Sequence, residues 1–244
     1  VKLVAAHVAA EDQPTVKERL LSQAVTAATL YVAPEFRGEA TAMLNDALRG
    51  TEPAVIFDRA LARLPLDDAS AAHLAQLLET STNKELRWLA LTALIAHGTR
   101  GVDDADAVDD PSSEGAVSKL RARAVADKRW AWEEITRSDR SNLEIRYLMD
   151  GLTFNAEGLE GLSDEYFRIA PELWDRLTNE MAQRTLEGIY PMWDISEEAI
   201  AKADALLARE DLTAGLRRVL SEGRDRAARA LRVRAVDAAA VPRG

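Results

Sequence analysis

The sequence predicts an all-α protein, a superhelical solenoid of antiparallel helix pairs of the HEAT or armadillo type. Hydrophobic residues make up 47% of the 244 residues and aromatic residues only 5%, so alanine and leucine, both strong helix formers, dominate the apolar part. No segment sustains the period-two alternation of a half-buried strand. Apparent helices of about 10–20 residues follow one another across short turns, with roughly 35–40 residues per helix pair. A compact irregular bundle is the competing all-α architecture.

The N-terminal part of the chain is expected to hold six helices. Prolines, glycines and capping residues separate them, because such residues start or stop a helix. Asp12-Gln-Pro14 starts the second helix, Pro34 opens the third and Gly50 ends it, and Thr51-Glu-Pro53 caps the fourth. The predicted ranges are 2–10, 12–31, 34–50, 51–64, 65–79 and 83–97.

The sixth helix, NKELRWLALTALIAH at 83–97, is the most informative of these. Thr82 and Glu85 have the spacing of a capping box, and Gly98 follows the last apolar turn, where glycine most easily ends a helix. The helix is apolar nearly all round, which predicts burial between neighbouring helices. We therefore interpret His97 as a structural or capping histidine near the helix C-terminus.

The second half of the chain continues the helical pattern. Residues 99–112 are acidic and rich in turn formers, with room for one short helix, and are the only candidate linker. We treat residues 1–240 as one continuous array. The predicted helices are 113–126, 128–138, 142–153, 164–189 with a break at Pro171, 196–210 and a final helical region over 213–237.

Composition limits the functions that the chain can serve. A net charge of −10 argues against a protein that binds nucleic acid. No apolar run approaches the ~18 residues of a membrane-spanning helix. The chain has no cysteine, which excludes disulfides and thiolate sites and fits a reducing compartment.

The ends of the chain predict a segment of a longer protein. The sequence begins at Val1 without a methionine, and no targeting segment is visible. We interpret the last four residues, 241–244, as a tail of native or vector origin and leave them out of the fold.

Candidate catalytic and metal-binding patterns fail on spacing. None of the three histidines has a partner at zinc-ligand spacing. The acidic run 103–110 lacks the glycine and the closing glutamate of a calcium-binding EF-hand loop. Glu133-Glu134 and Glu197-Glu198 are adjacent pairs, so on a helix their side chains point about 100° apart, and we interpret them as surface residues. Glycine-rich phosphate loops and nucleophile elbows are missing from the sequence.

The tryptophans are interpreted as core residues. Trp130 and Trp132 lie two positions apart, on nearly opposite faces of a helix, so they cannot form one stacking surface. We expect these two, together with Trp174 and Trp193, to pack between successive helices.

An arginine-rich helix over 216–234 is the strongest candidate for a binding surface. Arg218, Arg224 or Arg226, Arg229 and Arg232 share one broad face at helical spacing. The other face is expected to hold Leu216, Val219, Leu220, Ala227, Leu231 and Ala235. Two interpretations are open: a solvated amphipathic helix, or a basic strip that faces an acidic partner surface or a substrate carboxylate. We define the candidate residues Arg218, Arg226, Arg229 and Arg232 as the arginine strip.

Several motifs then make the sequence specific. YF at 166–167 is followed by PELWDR at 171–176, EMAQ at 180–183 and EGIYP at 187–191. In their order and spacing, these motifs resemble the C-terminal helical domain of actinobacterial aminopeptidase N, of the gluzincin zinc aminopeptidases. The resemblance extends to LRWLALTALIAHG at 86–98 and LRRVLSEGRDRAARALRVRAVD at 216–237, and it covers residues 1 to about 240.

The resemblance implies a non-catalytic domain. In that family the catalytic apparatus lies upstream, where a Gly-x-Met-x-Asn strand and a His-Glu-x-x-His helix with a downstream glutamate bind the peptide amine and one zinc ion. None of these motifs occurs in this chain, so the resemblance implies no catalytic or metal-binding residue here, with zinc held by the catalytic domain of the parent enzyme. It further implies a cap that covers the catalytic cleft and restricts which peptides enter.

The implied partners are the catalytic domain of the same polypeptide and peptide substrates, with no nucleic acid and no membrane, in the cytoplasm. We expect the arginine strip to face the catalytic half or the peptide. The alternative function is a free-standing HEAT-like scaffold that binds a partner protein on its concave face. An enzyme with a site of its own has little support in the sequence.

Overall fold

The computed structural model describes residues 1–136 and 139–240. In these ranges it contains 14 α-helices and no β-strand, and helices account for 75% of the structure. The all-α prediction is therefore confirmed, and consecutive helices joined by short connections are consistent with a solenoid-like domain. Residues 137 and 138, at the end of the predicted helix 128–138, lie outside the described residues, as does the tail 241–244.

The backbone contacts divide the chain into two compact units. Unit 1 comprises residues 1–107 and the end of the last helix from residue 233, and unit 2 comprises residues 108–232. The assignment of residues 1–240 to one domain stays a prediction. Within the described ranges, no helix is long and apolar enough to cross a membrane.

Unit 1 contains the first seven helices, which follow the predicted order closely. Short 3₁₀ segments at Val8–Ala10 and Pro34–Phe36 and a π-helical segment at Ala27–Tyr31 fill out the predicted ranges. The helices are α1 (Lys2–His7), α2 (Pro14–Thr26), α3 (Arg37–Leu48), α4 (Ala54–Leu61), α5 (Asp68–Thr80), α6 (Lys84–His97) and α7 (Val102–Asp106).

Helix α6 lies in the core of unit 1, as predicted. Nine of its 14 residues are buried, and Gly98 ends it in the left-handed region with φ 85°. The predicted capping box was wrong, because Asn83 caps the helix and its side chain accepts a hydrogen bond from the Leu86 amide (3.1 Å). Asparagine is at least as good an N-cap as threonine, so the helix begins after it. His97 is the last residue of α6, and its Nε2 lies 3.8 Å from Asp68 Oδ1.

Unit 2 contains the remaining helices. The last helix is one continuous element of 26 residues, and it runs on past residue 232 into unit 1. The helices are α8 (Ser113–Ala126), α9 (Lys128–Thr136), α10 (Asn142–Leu152), α11 (Leu162–Arg176), α12 (Asn179–Gly188), α13 (Glu197–Leu207) and α14 (Ala214–Ala239).

The predicted break at Pro171 was wrong. Helix α11 continues through Pro171, and the chain becomes extended at Leu177 before Thr178 caps α12. A proline inside a helix loses one backbone hydrogen bond and crowds the preceding turn. The buried face of α11, with Tyr166, Phe167 and Leu173 among its members, offsets that cost by packing.

Aromatic side chains form the centre of unit 2. The rings of Tyr166, Phe167 and Tyr190 meet edge to face, with centroids 5.2–6.1 Å apart, and the Tyr166 hydroxyl donates to the Leu186 carbonyl (3.1 Å). Trp132 and Trp174 are buried in the same core, as predicted.

The other two tryptophans are half-buried against this core. Trp193 is partly buried and packs against it. Trp130 does the same and is covered on its outer face by the Arg123 guanidinium, 4.1 Å from the ring centroid. The core interpretation therefore holds for all four tryptophans.

Glu134 is buried, although the sequence predicted a surface residue. Arg140 donates to Glu134 Oε2 through both Nε (2.8 Å) and Nη2 (2.6 Å). A carboxylate can be buried when a paired guanidinium supplies its hydrogen bonds. No local sequence pattern predicts that pairing. Glu197 and Glu198 are exposed, as predicted.

Candidate functional site: the arginine strip

Helix α14 buries one face and exposes the arginine strip on the other. At about 100° per residue, Arg218, Arg226, Arg229 and Arg232 fall within an arc of about 120°. The predicted inner residues Leu216, Val219, Leu220 and Ala227 are buried, and Leu231 is half-buried. Ala235 is exposed, contrary to the prediction, and the buried residues of α14 end at Ala230.

Two glycines allow α14 to pack closely on the aromatic core of unit 2. A Cβ atom on Gly215 would lie 2.4 Å from the Trp174 ring, and one on Gly223 would lie 2.2 Å from the Tyr190 ring. Any larger residue would push the helix away from these rings. The aromatic core therefore fixes the position of α14 and, with it, the direction of the arginine strip.

Two further arginines attach α14 to the segment around α13. Arg224 donates through Nε and Nη2 to the two oxygens of Asp204, at 2.9 and 3.0 Å. Arg217 donates to the carbonyls of Leu207 (2.6 Å) and Arg209 (2.8 Å). The sequence left Arg224 and Arg226 as alternatives on the strip, and the structure places Arg224 in this internal pair instead.

The strip arginines keep most of their donors available. Arg218 donates to Gln183 Oε1 (2.7 Å) and lies 4.0 Å from the Glu222 carboxylate. Arg226, Arg229 and Arg232 are exposed and form no ion pair or hydrogen bond with any residue in 1–136 or 139–240. The strip therefore presents three guanidinium groups whose planar N–H donors are free to bind carboxylates.

Two buried tyrosines, Tyr166 and Tyr190, lie in the core against which α14 packs. Burial raises the pKa of Tyr190 to about 12, while the positive charges of Arg226 and Arg224 act in the opposite direction. Burial also raises the pKa of Tyr166, which Arg226 again opposes. Both phenols are therefore neutral at physiological pH. The groups that this surface offers are therefore the guanidinium cations, which suit the binding of anions.

The described residues do not fit a zinc ion. Within them, no group of three or more histidine, aspartate or glutamate side chains converges on a point where a metal could bind. His7 is exposed on α1, and His73 and His97 interact with separate aspartates. No chemical step can be derived through a metal in this part of the chain.

Two buried polar sites were missed by the sequence interpretation. Lys128 Nζ donates to the carbonyls of Gly151 (2.7 Å) and Leu152 (2.8 Å) at the end of α10, and burial lowers the pKa of Lys128 to about 7. Asp58, which is 2% exposed, bonds His73 Nε2 at 2.7 Å. No sequence signal identifies either site, because in each one the interacting residues come from two different helices.

The fold and the strip define a class of protein, an all-helical domain that offers a cationic surface. The chain belongs to the ERAP1-like C-terminal domain family, whose model matches residues 1–229. It is also 31% identical over 262 residues to the Aminopeptidase N of Streptomyces lividans. The match covers 98% of this chain and 31% of that protein, so the chain spans about a third of the relative's length. The resemblance to an aminopeptidase N C-terminal domain is confirmed.

Proposed function

We propose that the chain is the non-catalytic C-terminal domain of a zinc-dependent aminopeptidase, in which it covers the catalytic cleft and restricts the entry of peptides. The observation that carries the proposal is the match of nearly the whole chain to part of a protein named Aminopeptidase N. The family description as a C-terminal domain supports the same position in the parent. Zinc and the residues that cleave the peptide belong, in this proposal, to the rest of the polypeptide, and the parent acts in the cytoplasm.

The role of the arginine strip in this function is to hold peptide carboxylates. A guanidinium binds a carboxylate through two parallel hydrogen bonds, which fixes its direction as well as its position. Arg226, Arg229 and Arg232 need not break an ion pair to do so, since they have none with the described residues. A covered cleft also screens charges less than open water does, so each contact can exceed the ~0–1 kcal/mol of an exposed pair.

The test of the strip is a comparison of long and short substrates. Arg226→Ala combined with Arg229→Ala in the full-length parent is expected to raise KM for an octapeptide about three- to tenfold, for the loss of ~1 kcal/mol of ionic contact. A dipeptide amide, which carries no terminal carboxylate and is too short to reach the strip, is expected to be unaffected.

The matched control removes two other exposed arginines of unit 2. Arg168→Ala combined with Arg184→Ala makes the same change in net charge, and these side chains are 69% and 62% exposed. We expect no difference between long and short substrates in this variant. Equal effects of the strip substitutions on both substrates, or no effect on either, would mean that the strip is only a solvated face.

The parent activity is tested by its reading frame and its turnover. We expect a His-Glu-x-x-His motif upstream of Val1, and zinc-dependent release of N-terminal residues by the full-length protein. A reading frame without that motif would favour the alternative of a free-standing helical scaffold.

A further inference from the structure

Two arginines of unit 1 bind the same short stretch of backbone. Arg37, the first residue of α3, donates through Nε to the Val32 carbonyl (3.2 Å). Arg234, near the end of α14, donates through Nε to the Leu30 carbonyl (2.8 Å). These carbonyls lie at the end of the π-helical segment Ala27–Tyr31. The two guanidinium groups are therefore held close together, although their like charges repel each other.

Capping of a helix end explains only one hydrogen bond of Arg37. Arginine side chains commonly bind the last carbonyls of a helix, where the helix dipole favours a positive charge. A guanidinium has five N–H donors, and Arg37 uses the one on Nε in this way. The others form no hydrogen bond with any residue in the described ranges, and the Nη2 atom is buried. Most of the donors of this cation therefore have no acceptor in the protein.

The positive charge of Arg37 is likewise without a carboxylate partner among the residues that the structure describes. Burial lowers the pKa of the Arg37 guanidinium. Burial, and then the positive charge of Arg37, lower the pKa of Arg234 to about 10, so both groups are protonated at physiological pH. Asp237, one turn beyond Arg234, accepts from the Ala33 amide through Oδ2 (2.9 Å). Two cations and this one carboxylate leave a net positive charge.

We propose that Arg37 and Arg234 bind a tetrahedral oxyanion, inorganic phosphate, in unit 1, at a place here called the anion site. A partly buried cation without a counter-charge is unfavourable, and a bound anion removes that cost. A carboxylate has two oxygens, which one guanidinium occupies, whereas a tetrahedral ion has enough acceptor oxygens for two guanidinium groups. Both arginines are half-buried, so an ion in solution can reach them. Single π-helical turns occur frequently at functional sites.

The anion site has a structural consequence for α14. Arg234 and Asp237 already hold the end of this helix against residues 30–33. Arg37 belongs to α3, so an anion that bridges the two arginines adds a link between α3 and α14. Both partners lie in unit 1, apart from the arginine strip, and the inference does not depend on the proposed function. Phosphate is therefore expected to stabilise unit 1.

The experiment is a calorimetric titration with inorganic phosphate at neutral pH and constant ionic strength, with acetate as the comparison anion. It is done on the 244-residue chain and repeated on the full-length parent. Arg37→Met removes the charge at similar side-chain length, and Arg37→Lys keeps the charge but removes the planar fork. Arg229→Met is the matched control, since it removes an exposed arginine of the strip. Circular dichroism confirms that each variant is folded.

We expect the wild type to bind one phosphate per chain at this site. Arg37→Met is expected to weaken that binding at least about tenfold, for the loss of charge-assisted hydrogen bonds. Arg37→Lys is expected to weaken it less, and it tests the site even if Arg37→Met does not fold. Arg229→Met should leave the affinity unchanged, and acetate should bind more weakly than phosphate.

Equal phosphate affinity of the wild type and both Arg37 variants would overturn the proposal. So would binding that is lost in Arg229→Met, which places the anion on the arginine strip. Equal affinities for acetate and phosphate would also overturn it, because they indicate a site for a single carboxylate.

Thermal unfolding provides a second measurement. Phosphate is expected to raise the melting temperature of the wild type more than that of Arg37→Met, because a ligand that binds only the folded chain stabilises it. Equal rises in both proteins would represent the general stabilising effect of phosphate on proteins and would contradict the anion site.

Discussion

At the scale of single residues, the clearest physical constraint is a lysine placed where water is excluded. Lys128 is 6% exposed, and its amine meets two carbonyls at the end of α10. A neutral amine has two N–H donors, which match these two acceptors, whereas the charged form carries a third N–H and a desolvation cost. This is why burial lowers the pKa of Lys128 to about 7.

The stability that Lys128 provides is expected to depend on pH. The native pKa of about 7 lies below the ordinary value of 10.5, so the unfolded chain binds the proton first as pH falls. The contribution is full above pH 10.5, decreases as pH falls toward 7, and is constant below that. We expect Lys128→Met, measured by urea unfolding, to cost about 2 kcal/mol near pH 10, because two buried carbonyls lose their donor.

The measured quantity is the difference in unfolding free energy between wild type and Lys128→Met. It is expected to shrink from about pH 10 to about pH 7, since the wild type bears the growing cost of a buried charge. Lys2→Met, at an exposed position of α1, is the control and should show no such trend. A difference that stays constant over this range would contradict the assignment.

His73 is expected to stabilise unit 1 through Asp58. The Asp58 carboxylate is buried, its Oδ1 bonds His73 Nε2 at 2.7 Å, and its Oδ2 has no partner. We expect His73→Ala to lower the unfolding free energy by about 3 kcal/mol, because it leaves a buried carboxylate unpaired. The measurement is denaturant unfolding, with His7→Ala at an exposed position as the control.

A double variant separates this pair from a general loss of packing. Asp58→Ala combined with His73→Ala should cost less than the sum of the two single substitutions, since removal of both partners leaves no unpaired charge. Additive costs would show that the two side chains act independently.

At the scale of the helix, α14 depends on glycine for its position. Alanine normally stabilises a helix by about 1 kcal/mol over glycine. A Cβ at Gly223, however, would lie 2.2 Å from Tyr190 Cδ2. We therefore expect Gly223→Ala to destabilise the protein by about 1–3 kcal/mol through overpacking, measured by thermal unfolding.

Gly38 provides the matched control for this substitution. It lies in α3, and a Cβ there would meet nothing within 4 Å. Gly38→Ala is therefore expected to raise the melting temperature, while Gly223→Ala lowers it. A rise in both variants would show that the Tyr190 contact does not constrain α14.

At the scale of the whole molecule, the proposed function places the zinc ion in another part of the parent polypeptide. The isolated chain is expected to bind less than one zinc per molecule after dialysis and to release no product from a fluorogenic aminoacyl amide. The reason is that no group of ligands converges among the described residues. Metal analysis and a turnover assay are the measurements, with the full-length parent as the positive control. One tightly held zinc per chain would reject this assignment.

The sequence by itself determined the order and the limits of most helices, because their signals are local. Pro14 and Pro34 open helical segments, Ser112 and Ser196 cap α8 and α13, and Gly98 ends α6. The spacing of apolar residues likewise predicted the buried face of α14 from Leu216 to Ala227. Order and spacing of short motifs were enough to predict the family.

Tertiary structure decided what depends on contacts between distant residues. Pro171 stays inside α11 because the aromatic core holds that helix, and Glu134 is buried because Arg140 reaches it. Arg224 pairs with Asp204 and is therefore not part of the strip, whereas Arg226 is exposed. The first result follows from packing, and the two ionic pairs follow from a free-energy balance between desolvation and a specific partner. Sequence periodicity records which face a residue occupies, but it does not record which side chain will meet it there.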